Sequence, residues 1–364
     1  MPRSIFVSLG GALLARAVLA APTASSCTAT GYDQISAVVA SCTAITLSNI
    51  AVPAGSQLDL TKVKPSTTVT FAGTTTFGFK AWESPLILVG GSDFHITAAS
   101  GAVIDGNGAA WWNGQGDNGI EKPGHFIQVK AAGTQSLIEN LVIKNYPAHG
   151  FTLGGSNLVV RNVTLDNSAG NAPNSLSGGK PAAHNTDGFN VKAKNVLLEN
   201  ITVINQDDCV AVSGGAGNVT VRNASCDGSH GLSIGSVGSD TTIKDVFFYD
   251  STIKNSQNGV RIKTVSGATN SVVQNIVYKN IKLSNIDKFG LVVEQDYLNG
   301  GPTGTPTDGV KIQGVTFKSV TGTVSSKAKD YYILCGSGSC SNITFSDVKI
   351  TGGSGDSCNF GNLC

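Results

Sequence analysis

Charge is scarce in this chain: acidic and basic residues together make up 13% of its 364 residues. The two signs nearly cancel, with 25 Lys and Arg against 24 Asp and Glu. Without a basic excess the chain is no general polyanion binder, and nucleic acid is not an expected partner. Aromatic residues reach only 7% and there is a single Met, a composition poor in strong helix formers. No apolar run is long enough to span a bilayer, so no membrane partner is expected. No Cys-x-x-Cys pair accompanies a nearby His pair, which argues against structural zinc. Neither a metal nor a cofactor is expected.

What is abundant is glycine, 45 residues of it, alongside many Asn, Thr, Ser and Val. That is the composition of a turn-dense β protein. Hydrophobic residues still reach 40%, enough for one large core. The N-terminus has the form of a secretory signal over residues 1–20: Arg3, an apolar run from Ile5 to Leu14, and small residues at Val18-Leu19-Ala20. Residues 21–26 are a candidate pro-segment, which leaves 27–364 as a single domain. Removing residues 1–26 takes away Arg3 and Arg16 and no acid, so the formal charge becomes 25 − 2 − 24 = −1. Attraction for an acidic ligand must then come from local cations in a cleft.

Eight cysteines in a secreted chain predict disulfides. They fall as sequence neighbours, so the simplest pairing is Cys27–Cys42, Cys209–Cys226, Cys335–Cys340 and Cys358–Cys364. Five sequons, at Asn162, Asn200, Asn218, Asn223 and Asn342, also fit an extracellular, secreted protein.

From residue 90 onward the chain echoes itself. Leu137–Ile143 is repeated in Val159–Leu165, Leu197–Val203, Val219–Ser225, Thr242–Phe248 and Val272–Tyr278, each with an Asn or Asp at or next to its centre. Intervals of 22, 38, 23, 22 and 30 residues separate Asn140, Asn162, Asn200, Asn223, Asp245 and Asn275. A base period near 22 with insertions describes a solenoid coil from which loops project on one side. The period-two alternation around each Asn is that of a strand. A leucine-rich repeat would need fixed leucines and helical stretches that are missing. The expected fold is all-β: a right-handed, single-stranded parallel β-helix of about ten coils, roughly 50 Å long at ~4.8 Å per coil. Stacked Asn side chains are expected to satisfy polar groups inside it. Ile35, Val38 and Val39 recur at helical spacing between Thr30 and Cys42, predicting a short N-terminal capping helix.

Four strings carry chemistry: Asn185-Thr186-Asp187-Gly188-Phe189, Gln206-Asp207-Asp208-Cys209, Gly228-Ser229-His230-Gly231 and Arg261-Ile262-Lys263. Three aspartates beside a His and two cations are what acid/base hydrolysis of an anionic polymer needs. Three clustered carboxyls do not all ionise cheaply, so one pKa should rise. Adjacent strand residues face opposite sides, so Asp207 and Asp208 share a cleft only if the chain bulges or turns there. Arg261 and Lys263, two apart on a strand, project to one face, where they would hold a carboxylate.

These strings, with Asp296-Tyr297-Leu298-Asn299-Gly300-Gly301, resemble the polygalacturonases of glycoside hydrolase family 28 across the whole mature chain. Asn190 and Ser229 depart from the family's frequent Asp and Gly. The resemblance implies endo-acting, inverting hydrolysis of α-1,4-galacturonosidic bonds in polygalacturonate by a monomer. It assigns the general acid to Asp207, and water positioning and deprotonation to Asp187 and Asp208. His230 assists the acid or bonds substrate, and Asn185, Arg261, Lys263 and Tyr297 bind substrate. An exo-acting relative or a rhamnogalacturonan hydrolase is the nearest alternative, a calcium-dependent pectate lyase or a noncatalytic β-helix binder a more distant one.

Overall fold

The structure, a computed structural model, describes residues 27–364. The expected signal and pro-segment lie outside the described residues. Twelve successive strand segments stack in register along one side, from Thr28–Ala29 through Ala44–Ser48, Thr68–Ala72 and His95–Ala98 to Cys340–Ser346. Eleven steps at ~4.8 Å make a rod of roughly 53 Å. A second ladder, from Leu58–Leu60 to Ser357–Cys358, forms the wall that carries the four chemistry-bearing strings. Among the described residues, only the short pairing of Tyr297–Leu298 with Gly301–Pro302 is antiparallel. The molecule is a right-handed parallel β-helix.

Alternation within each segment sends one side chain in two to a single continuous core. Aromatic residues at one register position stack through four coils: Phe248 on Tyr278 at 4.6 Å, Tyr278 on Phe317 at 5.3 Å, Phe317 on Phe345 at 5.5 Å. The capping helix, α1 (Ile35–Ser41), buries Ile35, Val38 and Val39 over the first coil. All four expected disulfides are present, linking sequence neighbours with Cα atoms 5.8–5.9 Å apart. Cys27–Cys42 anchors the helical cap and two bridges close the last coils.

The Asn ladders exist, but outside the core. Asn162 donates to Asn140, Asn200 to Asn162 and Asn223 to Asn200 at 3.1–3.3 Å, and all four side chains are exposed. Each Asn occupies a left-handed corner, φ between 53° and 60°, which Asn tolerates because its short polar side chain bonds locally. The backbone therefore turns at Asn while the apolar neighbours face inward. The expected interval between Asn223 and Asp245 is also corrected. Asp245 stacks on Asn218, since Gly217 pairs with Lys244 and Arg222 with Tyr249. Corners recur every five residues within a coil, at Asn218/Asn223 and Asp245/Asp250, so the interval of 22 joins two different corners.

Candidate active site

One open cleft of about 840 Å³ runs over the second ladder and gathers the four sequence strings. Asp187 ends the loop that follows the short 3-10 turn Ser168–Asn171. That loop is clamped from the next coil. Gln206 donates to Asn167 O at 2.9 Å and to Asn171 Oδ1 at 2.8 Å, while Thr186 Oγ1 donates to Gln206 Oε1 at 2.8 Å. Asn205 donates to Thr186 O at 2.7 Å and to Asp208 O at 3.0 Å. One Asn-Gln pair thus fixes both carboxylate-bearing segments.

Asp207 and Asp208 lie in a bend between the strands Lys194–Ile204 and Val210–Val212, so strand alternation does not separate them. Asp207 Oδ1 accepts the Asp208 N–H at 2.7 Å, which tightens the bend. Buried Cys209, bridged to Cys226, holds the next residue in place. Asp187, Asp207 and Asp208 bring carboxylate oxygens within 4.8 Å of one another. Of the described residues, this is the group with the spacing to hold a metal ion. Around it, Lys263 Nζ donates to Asp208 Oδ2 at 2.7 Å, and His230 Nδ1 lies 3.1 Å from Asp207 Oδ1.

The three carboxyls are electrostatically distinct. Burial pushes Asp187 well above the ordinary carboxyl range, and the neighbouring charges of Asp207 and Asp208 push it further. For Asp207 burial acts upward too, but the hydrogen bond and charge of His230, with Lys263, outweigh it and hold the carboxyl down. Asp208 is anchored by Lys263 and by a 2.7 Å hydrogen bond from Ser233. The rise expected for one of the three falls on Asp187.

Arg261 and Lys263 do share a face, but both are buried and neutralised from within. Arg261 donates through Nε and Nη2 to Glu294 Oε1 at 2.9 and 2.8 Å. Tyr297 lies against both cations, its ring centre 5.1 Å from the guanidinium carbon and 5.3 Å from Lys263 Nζ. Asn185 lines the cleft from a left-handed position, φ 53°, with its Oδ1 2.8 Å from His184 Nδ1. Gly231 adopts φ 98° with its Cα face against the Gly259 carbonyl, where a Cβ would collide. Only glycine lets the chain turn there and carry His230 into the cleft. Ser229 has a structural role: it is buried and its Oγ lies 3.1 Å from Ser256 Oγ.

A family model described as glycosyl hydrolases family 28 matches residues 42–362. The chain belongs to this family. It is 54% identical over 342 residues to a probable endopolygalacturonase D of Neosartorya fischeri, covering 92% of this chain and 72% of that one. A polygalacturonase of Fusarium fujikuroi is 51% identical over 343 residues, covering 92% and 91%. Among solved structures, endopolygalacturonase I from Stereum purpureum, complexed with two galacturonates, superposes with a TM-score of 0.80 at 33% identity, covering 91% and 96% of the two chains. This family 28 protein is a glycoside hydrolase.

Several cleft residues of the family 28 site were invisible in its sequence. Register alignment puts His125, His149, Asp187, Asp208 and His230 at one position of five consecutive coils. His149 Nε2 lies 3.7 Å from Asp187 Oδ1. Isolated histidines at 125 and 149 carry no motif, and only the coil spacing could have linked them. Glu294, fully buried behind Arg261, gave no signal because its partner is 33 residues away.

Proposed function

We propose that this chain is a secreted endopolygalacturonase that hydrolyses α-1,4-galacturonosidic bonds of polygalacturonate with inversion. The observation that carries this reading is the trio itself: three carboxyls within 4.8 Å sharing an open cleft, one pushed toward the protonated form and one cation-paired. The endopolygalacturonase relatives over most of the chain support the substrate and the internal mode of attack.

In the reaction, Asp207 gives its proton to the glycosidic oxygen as the bond to the anomeric carbon breaks. Water attacks that carbon from the opposite face, and Asp187 or Asp208 takes the water's proton. Asp207 is held ionised in the free site by His230 and Lys263. Galacturonate carboxylates entering beside those cations offset their charge and raise Asp207, moving the trio's proton toward the acid. Arg261 keeps unused N–H donors besides the two on Glu294, and with Lys263, Tyr297 and Asn185 it lines the place of the sugar next to the cut. His230 positions the acid. Residues 1–20 serve as the signal, 21–26 as a pro-segment, and 27–364 act as a monomeric catalytic domain.

Incubation with polygalacturonate tests this directly. Reducing ends should appear without the absorbance of an unsaturated product, viscosity should fall ahead of end release, and early proton NMR should show β-anomer first. Unsaturated product would mean a lyase, monomer release from chain ends an exo enzyme, and α-anomer first a retaining mechanism.

A further inference from the structure

Four cations line the cleft: Lys192, Arg261, Lys263 and Lys288. Two are already ion-paired within the protein, Arg261 with Glu294 and Lys263 with Asp208. The other two have no carboxylate within 4.0 Å among the described residues. We propose that Lys192 and Lys288 are the outer carboxylate-binding positions of the cleft, each holding a galacturonate distant from the cut. This rests on the polygalacturonate reading above.

Both share the cleft of the trio. Lys192 follows the strand Phe189–Val191 in the coil of Asp187, at the opposite strand end from that carboxyl. Lys288 precedes the strand Phe289–Leu298, four coils further on by the pairings Val191–Val212–Ile234–Ile262–Val293. Four steps at ~4.8 Å separate them by roughly 19 Å along the axis. Lys288 shares a register position with Asp207, three coils away. A polymer lying over the trio therefore meets one unneutralised ammonium level with Asp187 and a second three coils beyond Asp207.

The two sites differ in character. Lys192 is exposed, so its ammonium is hydrated and adds long-range attraction. Lys288 is half-buried with its ammonium 5.5 Å from the Phe289 ring centre. Burial, and then the charge of Arg261, disfavour its cationic form; an incoming carboxylate relieves the repulsion and completes a charge-assisted hydrogen bond. Because the two ammonium groups are four coils apart, full affinity needs a run of several sugars that reaches from one to the other.

Steady-state kinetics on polygalacturonate with Lys192→Ala, Lys288→Ala, the double variant and the Arg replacements test this. Each Ala variant should raise KM, by about tenfold for Lys288, as expected for loss of one charge-assisted hydrogen bond. KM should carry most of the loss in kcat/KM, the Arg variants should recover most of it, and Tm should stay at the wild-type value. The difference should shrink at about 0.5 M salt, where the screening length falls to a few ångströms. Wild-type KM in both Ala variants would overturn the proposal. If the wild type fails to hydrolyse polygalacturonate, the functional reading falls instead. Calorimetric titration with the same polymer still decides the lysines: equal Kd for wild type and double variant refutes them.

Discussion

At Asp207 the side chain's environment opposes the role assigned to it until substrate arrives. His230 and Lys263 hold it ionised, whereas buried Asp187 is driven toward protonation. Asp207→Asn should lower kcat by several orders of magnitude with substrate affinity largely kept, since the amide preserves shape but cannot donate the acid proton. Asp208→Asn should lower kcat severely as well. It also leaves Lys263, buried and 2.7 Å from Asp208 Oδ2, without its counter-charge, so Tm should fall along with activity. Kinetics and melting curves measured on both proteins separate the two roles. Activity above a tenth of wild type in the Asp207 variant would remove it from the mechanism.

At the scale of the element, the unit of construction is a short strand closed by an Asn corner. Asn200 has φ 53°, donates to Asn162 at 3.2 Å and accepts from Asn223 at 3.1 Å. Asn200→Ala removes two ladder bonds and forces a Cβ residue without local polar compensation into the left-handed region. The expected cost is about 1–3 kcal/mol. Asn200→Gly relieves the backbone but not the lost bonds, so its stability should fall between the two. Urea denaturation of unglycosylated protein reads the series, and an Ala variant as stable as wild type would show that the ladder follows the fold rather than supports it. The same corner pattern explains why the coil period was legible while one register was not. Corners five residues apart look alike in sequence, and only the pairing of Arg222 with Tyr249 picks the right one.

For the whole molecule, stability should depend on pH through the histidines built into the cleft wall. Burial, then the charges of His149 and Lys192, lower His125 from 6.5 to about 4. Between those values the unfolded chain binds the proton first. The stability that neutral His125 permits is therefore present above pH 6.5 and lost as pH falls toward 4. His149 is lowered in the same direction by burial. A His125→Phe variant should lose less Tm than wild type when the pH drops from 7 to 4; parallel curves for the two proteins would place His125 in an ordinary solvated setting.

Composition, strand alternation and the spaced Asn residues specified the β-helix, because each is a local demand: turns need Gly or Asn, and a half-buried strand needs period two. The four strings pointed to the trio for the same reason, since Asp207 and Asp208 are neighbours and Asp187 comes with its own loop. The paired cysteines were equally legible, each bridge closing a short local loop. What the sequence left undecided depends on contacts across coils. His149 meets Asp187 38 residues away, Glu294 neutralises Arg261 across 33 residues, and Lys263 reaches Asp208 across 55. Such separations are set by insertions between coils, which vary from one turn to the next. Which carboxyl is driven toward protonation, and which cations are left without a carboxylate partner, were decided only when stacking brought those groups within a few ångströms.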